Sequence, residues 1–149
     1  MRFVCCVVVA LLACGQAAAQ PRDQRFFWRS ASAKPAVCFE MAEGRLRAPA
    51  SDGRVRVARY SLVGETLLLE DPHEEGWAAW HPDLYGSARD RKSRERKAER
   101  LDRAREEVWF LLRSLPRVER LTPSELTLQA RDGRRARFVA ARVCDLPES

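Results

Sequence analysis

Arg54-Val-Arg-Val-Ala-Arg-Tyr-Ser-Leu-Val63, turned by Gly64-Glu65 into Thr66-Leu-Leu-Leu69, is the stretch that decides the fold. Its opening alternates, with Val55 and Val57 on one face and Arg54 and Arg56 on the other. That is the two-residue period of a half-buried strand. A second strand follows at once, so the pair reads as an antiparallel hairpin.

The reading extends in both directions. Upstream, Ala36 to Met41 is short, half apolar and contains Cys38. Downstream, Arg117 to Leu121 and Glu125 to Ala130 are strands around Thr122-Pro123-Ser124. Asp132-Gly133 is the strongest hairpin turn signal in the chain, and Ala136 to Val143 returns to Cys144. Val57-Ala-Arg-Tyr60 before Leu67-Leu-Leu69 is weakly echoed by Val118-Glu-Arg-Leu121 before Leu126-Thr-Leu128.

Between the two strand groups the period changes. Leu101, Ala104, Val108, Leu111, Leu112 and Leu115 recur at helical spacing, with Trp109 and Phe110 alongside, until Pro116 stops the pattern. A helix is expected from about Ser93 to Ser114, its second half docked through Leu101, Val108, Leu111, Leu112 and Leu115. Glu99 and Arg103 stand at i,i+4 in the favourable order. The predicted fold is one α+β domain over 35–147: a curved antiparallel sheet of about six strands, one main helix on its open face, one disulfide. Residues 20–34 are expected to be a flexible lead-in, with Phe26, Phe27 and Trp28 as anchors.

The chain has 149 residues, with 27 Lys+Arg against 21 Asp+Glu, a net charge of +6, and 46% apolar residues. That suits one folded domain and excludes a wholly disordered chain. The charge is localised. Arg89 to Arg105 holds nine Lys/Arg and four Asp/Glu, so the remainder is close to neutral. The predicted helix therefore begins as a solvated basic projection. It is either only a charged surface or a contact for an anionic envelope surface or another envelope protein, with Arg91, Lys92, Arg94, Arg96 and Lys97 as candidate contacts. Nucleic acid is not expected, because no aromatic residues interleave with the arginines for base stacking.

Met1-Arg2, an apolar run from Phe3 to Ala13 and a small-residue exit read as an export leader over 1–19. Ala17-Ala18-Ala19 offers an ordinary cleavage pattern. Leu11-Leu12-Ala13-Cys14 resembles a bacterial lipobox, which would lipidate Cys14, although Leu12 is bulkier than that motif usually carries. Either route predicts export to the periplasm or outer membrane, and no later apolar run is long enough to span a bilayer. Three of the five Cys lie in or beside the leader, leaving Cys38 and Cys144. In an oxidising compartment that pair points to a disulfide closing the domain. A redox pair is the alternative, although neither Cys sits in a CxxC or beside a His.

Gly44-Arg45-Leu46 and Tyr60-Ser-Leu-Val-Gly-Glu-Thr-Leu67 resemble the glycine-arginine turn and the tyrosine-led hairpin of the META domain, an HslJ-like α+β module of bacterial envelope proteins. Glu107-Val-Trp-Phe-Leu-Leu112, then Val118, Leu126-Thr-Leu128, Gly133 and Phe138, are similar to that family's closing helix and hairpin. The glycine-cysteine-asparagine turn of the family is absent, with Ser51-Asp52-Gly53 in its place. The resemblance implies a binding or stress-protection module without enzymatic activity.

Glu70-Asp-Pro-His-Glu-Glu-Gly-Trp-Ala-Ala-Trp-His-Pro-Asp83 contains both histidines, His73 and His81. Their eight-residue separation matches no tight ligand spacing, so no metal is expected. The segment reads as a loop with Trp77, Trp80 and Tyr85 as a candidate partner surface. No phosphate-binding glycine loop is present, and no cofactor is expected. A non-enzymatic envelope binding module is the first functional expectation. A small disulfide-stapled inhibitor of a hydrolase such as lysozyme is the second, with Glu70 to Glu75 as its acidic contact.

Overall fold

Strand pairing extends further along the chain than alternation alone suggests. In the computed structural model, which describes residues 25–32, 35–51, 53–77, 88–144 and 146, eight strands and one helix follow in order. They are β1 (Phe26–Ser30), β2 (Cys38–Ala42), β3 (Arg45–Pro49), β4 (Arg54–Val63), β5 (Thr66–Trp77), α1 (Ala88–Arg113), β6 (Arg117–Leu121), β7 (Glu125–Gln129) and β8 (Arg135–Ala141). Each strand pairs antiparallel with the next. β1 also pairs with β8, with Trp28 opposite Ala140, so the sheet closes on itself as a barrel.

This overturns the expectation of an open α+β sheet of about six strands. The fold is predominantly β, eight strands with one helix. The two additional strands are β1, from the lead-in expected to be flexible, and β3, which carries Arg45, Arg47 and Pro49. Closure is the physical reason. Five-residue segments that could not stand alone gain a hydrogen-bonded neighbour on both sides, and an exposed sheet edge is removed. Two bounds also move. The helix begins at Ala88, and β5 continues through Glu70–Trp77, where a loop is expected. Pro72 is accommodated by a bulge: Ala58 of β4 faces both Asp71 and Pro72, and Asp71 takes a positive φ of 49°.

The seam between β5 and β6 is the weakest closure. Register pairing there is limited to Thr66 and Arg117, flanked by bonds from Leu67 N to Pro116 O (3.0 Å) and from Val118 N to Glu65 O (2.6 Å). The chain leaves the barrel after β5 and re-enters at β6, and α1 packs against β5 and β3. The helix ends where Leu115 turns to a positive φ of 55° ahead of Pro116, with Ser114 Oγ donating to Leu111 O at 2.7 Å.

Side chains fill the barrel. Trp28, Phe39, Leu46, Leu67, Leu128 and Phe138 are fully buried, and Phe39 meets Phe138 edge to face at 5.0 Å between centroids. Val108, Trp109 and Leu112 of α1 join the same cluster. An eight-stranded barrel is just wide enough for such packing, so this interior is a core.

The outer wall has its own buried patch. Leu46 faces Ala58 across β3 and β4, and alternation then turns Val55 and Val57 outward, opposite Pro49 and Arg47. They are nonetheless buried, with Leu146 of the C-terminal tail packed on them. The tail is held there by the Cys38–Cys144 disulfide, whose Cα atoms are 5.6 Å apart. Nearby on β2, Glu40 is 3% exposed and paired with Arg25 (2.9 Å) and Arg47 (3.0 Å), as a buried carboxylate must be.

Candidate functional site

Alternation places Arg56 on the same side as Leu46 and Ala48, towards α1. Its guanidinium donates to Glu106 Oε2 at 3.0 Å, lies 2.9 Å from Glu106 Oε1 as an ion pair and 3.9 Å from Glu74, and sits 5.5 Å from the Trp109 ring centroid. Immediately before Glu106 and one turn from Trp109, Arg105, 7% exposed, reaches Ala50 O at 3.4 Å and Asp102 at 3.6 Å. These two arginines fix α1 against the β3–β4 end of the barrel. Between β5 and α1 a cleft of about 660 Å³ remains, lined by Pro72, His73, Glu74, Glu106, Trp109 and Phe110, with Arg56 and Arg113.

The charges in the cleft are largely committed to one another. Burial alone would raise the Glu106 carboxyl, but hydrogen bonds from Arg56 and Ser51 and the Arg56 charge hold it below its ordinary value. The carbonyl of Asp71 (2.9 Å) and then the carboxylate of Glu75 (2.8 Å) bond the two ring nitrogens of His73 and raise its pKa. The sign for Glu106 follows from linkage. A carboxylate with a depressed folded pKa stabilises the fold above its unfolded value and loses that contribution as pH falls through the folded one. The melting temperature of the protein should therefore fall in the acid range, and Glu106→Gln should remove part of that slope. Parallel melting curves of wild type and variant down to pH 3 check this, and an unchanged slope would show that the Arg56–Glu106 contact contributes nothing.

The predicted surface residues are placed unevenly. Arg91 pairs with Glu95 at 3.3 Å along the helix. Lys92, Arg96 and Lys97 are exposed, and Arg94 is half-buried with polar contacts of its own. Trp77 ends β5, while Trp80, Tyr85, His81 and Cys14, like the whole of the leader expected over 1–19, lie outside the described residues. The acidic run is on β5, where cross-strand partners meet it. Glu75 pairs with Arg45 (3.2 Å), Glu74 with Arg54 (3.0 Å), and Arg59 with Asp71 and Glu70. Among the described residues no helix is long and apolar enough to cross a membrane.

Arg56 and Phe110 are the residues that sequence reasoning underrates. Arg56 looks solvent-facing beside two valines that in fact point outward. Phe110 is adjacent to the apolar stripe but off its phase, and it is 65% exposed.

No family model and no curated protein matches the chain. Among solved structures, the NMR structure of a protein from Burkholderia xenovorans is similar at 10% identity and a TM-score of 0.47, covering 81% of this chain and 83% of that one.

Proposed function

We propose that this chain is an exported, non-enzymatic envelope protein that works by contact, meeting the anionic lipid surface of the envelope through the first half of α1. One observation carries the reading. Lys92, Arg96, Lys97, Arg100 and Arg103 are exposed on a helical segment whose apolar residues are Ala98 and Leu101 alone, so burial is not the purpose of its charged side chains. The leader supports export. The mutual pairing of Arg56, Glu74 and Glu106 supports an anchoring role for the cleft's charges rather than a catalytic one. The META resemblance belongs to the same proposal, resting on the β2–β3 turn, the β4–β5 hairpin and α1. The hydrolase-inhibitor alternative is disfavoured, since the carboxylates it would use already pair with β3 and β4 arginines.

Charges near an anionic lipid surface contribute about 1 kcal/mol each. Replacing those five residues with Gln should weaken binding to phosphatidylglycerol vesicles roughly a hundredfold or more. Wild-type binding should decline as salt rises, with screening over about 10 Å at 0.1 M. Melting should hardly change, because exposed charges contribute little to stability. Co-sedimentation of both proteins with the vesicles at low and high salt is the measurement. Equal binding by wild type and variant at low salt would reduce the charge to a solubilising role.

A further inference from the structure

The five basic residues explain attraction to a surface but not how the molecule is oriented on it. Phe110 supplies the missing element. It is 65% exposed, the most exposed large aromatic among the core-bearing half of α1, and it stands at the outer lip of the cleft. It follows Lys92 by eighteen residues, Arg96 by fourteen and Arg103 by seven. At 3.6 residues per turn those intervals are five, four and two turns, to within a small angle. One straight helical face therefore carries Lys92, Arg96, Arg103 and Phe110 over about 27 Å. The opposite face carries Leu101, Arg105, Val108 and Leu112, which dock on the barrel. Glu99 and Glu107 share the outer half. Arg100 and Arg113 at its margins leave it net positive, and Arg91 already holds Glu95.

A basic face continued by one unburied aromatic ring is the arrangement of a helix that lies in the plane of a membrane interface, with charges at the headgroups and the ring at the acyl boundary. We propose that α1 lies flat on an anionic lipid bilayer with Phe110 inserted, the barrel carried on the far side. This rests on the reading of α1 as an anionic-surface contact and adds to it a defined orientation and an apolar anchor. Charge complementarity favours lipid over a second copy, because two such faces would repel.

The test separates the anchor from the charge. Binding of wild type, Phe110→Ser and Phe110→Trp to vesicles of phosphatidylglycerol with phosphatidylcholine, and of phosphatidylcholine alone, is measured at 0.05 and 0.5 M salt. Burying a phenyl ring contributes enough that Phe110→Ser should weaken binding to the anionic vesicles about tenfold or more, with the loss most complete at high salt. Phe110→Trp should restore binding, and brominated lipid should quench its fluorescence beyond the wild-type background. Because the side chain is exposed, Phe110→Ser should melt with wild type, and a shared melting temperature confirms that only binding has changed. If Phe110→Ser binds as wild type does and Phe110→Trp is not quenched beyond background, the anchor is refuted while the electrostatic reading stands. If none of the proteins binds anionic vesicles at low salt, both fail. Equal binding to phosphatidylcholine alone would refute the charged half of the face.

Discussion

Replacing both Cys38 and Cys144 with Ser should lower the unfolding free energy by about 4 to 5 kcal/mol. The bond closes a loop with a sequence separation of 106, and the entropy it removes from the unfolded chain grows with the logarithm of that length. A domain of this size is stabilised by about 5 to 15 kcal/mol in total, so the variant would stand near the edge of folding. The location adds a local consequence. β1 closes on β8 and β2 follows it, so the barrel's own hydrogen bonds do not depend on the bond. The tail does, since Leu146 reaches Val55 and Val57 only two residues beyond Cys144. Urea unfolding of oxidised wild type against the double variant gives the size of the loss. Hydrogen exchange at Val55 and Val57 reports the tail, and those amides should lose protection ahead of β7 and β8. A loss under about 1 kcal/mol would mean that the tail is held by packing alone.

The strands that alternate, β4, β7 and β8, are legible from residue order because each presents one apolar face. β1 and β3 are not. Phe26-Phe-Trp-Arg-Ser30 has apolar residues on both faces, and Arg45-Leu-Arg-Ala-Pro49 puts charge and a proline where a strand pattern is weakest. Both become strands because closure gives them two neighbours, a fact that no five-residue window contains. The extension of β5 is hidden for a related reason. Glu70-Asp-Pro-His-Glu-Glu75 reads as a solvated loop until Arg45, Arg54 and Arg59 are set beside it by pairing. The disulfide is legible by elimination once Cys5, Cys6 and Cys14, in or beside the expected leader, are set aside. The candidate surface was legible as charge, because like-signed residues on a helix need no partner to be noticed. Its anchor was not, since Phe110 is distinguished from Trp109 only by the rotation at which α1 docks, which leaves one ring buried and the other exposed.

That rotation is itself open to measurement. Leu112 is 0% exposed within the main core, whereas Leu101, Leu111 and Leu115, expected to share the buried stripe, are only half-buried. Leu112→Ala should cost about 2 to 5 kcal/mol, the range for a core leucine whose cavity cannot collapse. Leu111→Ala should cost less, because water already reaches part of the side chain and less transfer energy is lost. Phe110→Ala should fall within about 0.5 kcal/mol of wild type, as exposed positions do. Urea unfolding of the three variants gives the order directly. Similar losses at Leu111 and Leu112 would place the axis of burial between them, still roughly 150° around the helix from Phe110, whereas a loss at Phe110 as large as that at Leu112 would mean that its ring faces the barrel. The helix would then have no aromatic to offer a membrane, and the basic residues would be left as its only means of contact. The order Leu112, Leu111, Phe110 instead keeps the ring opposite the docked face, where an inserted side chain has to be.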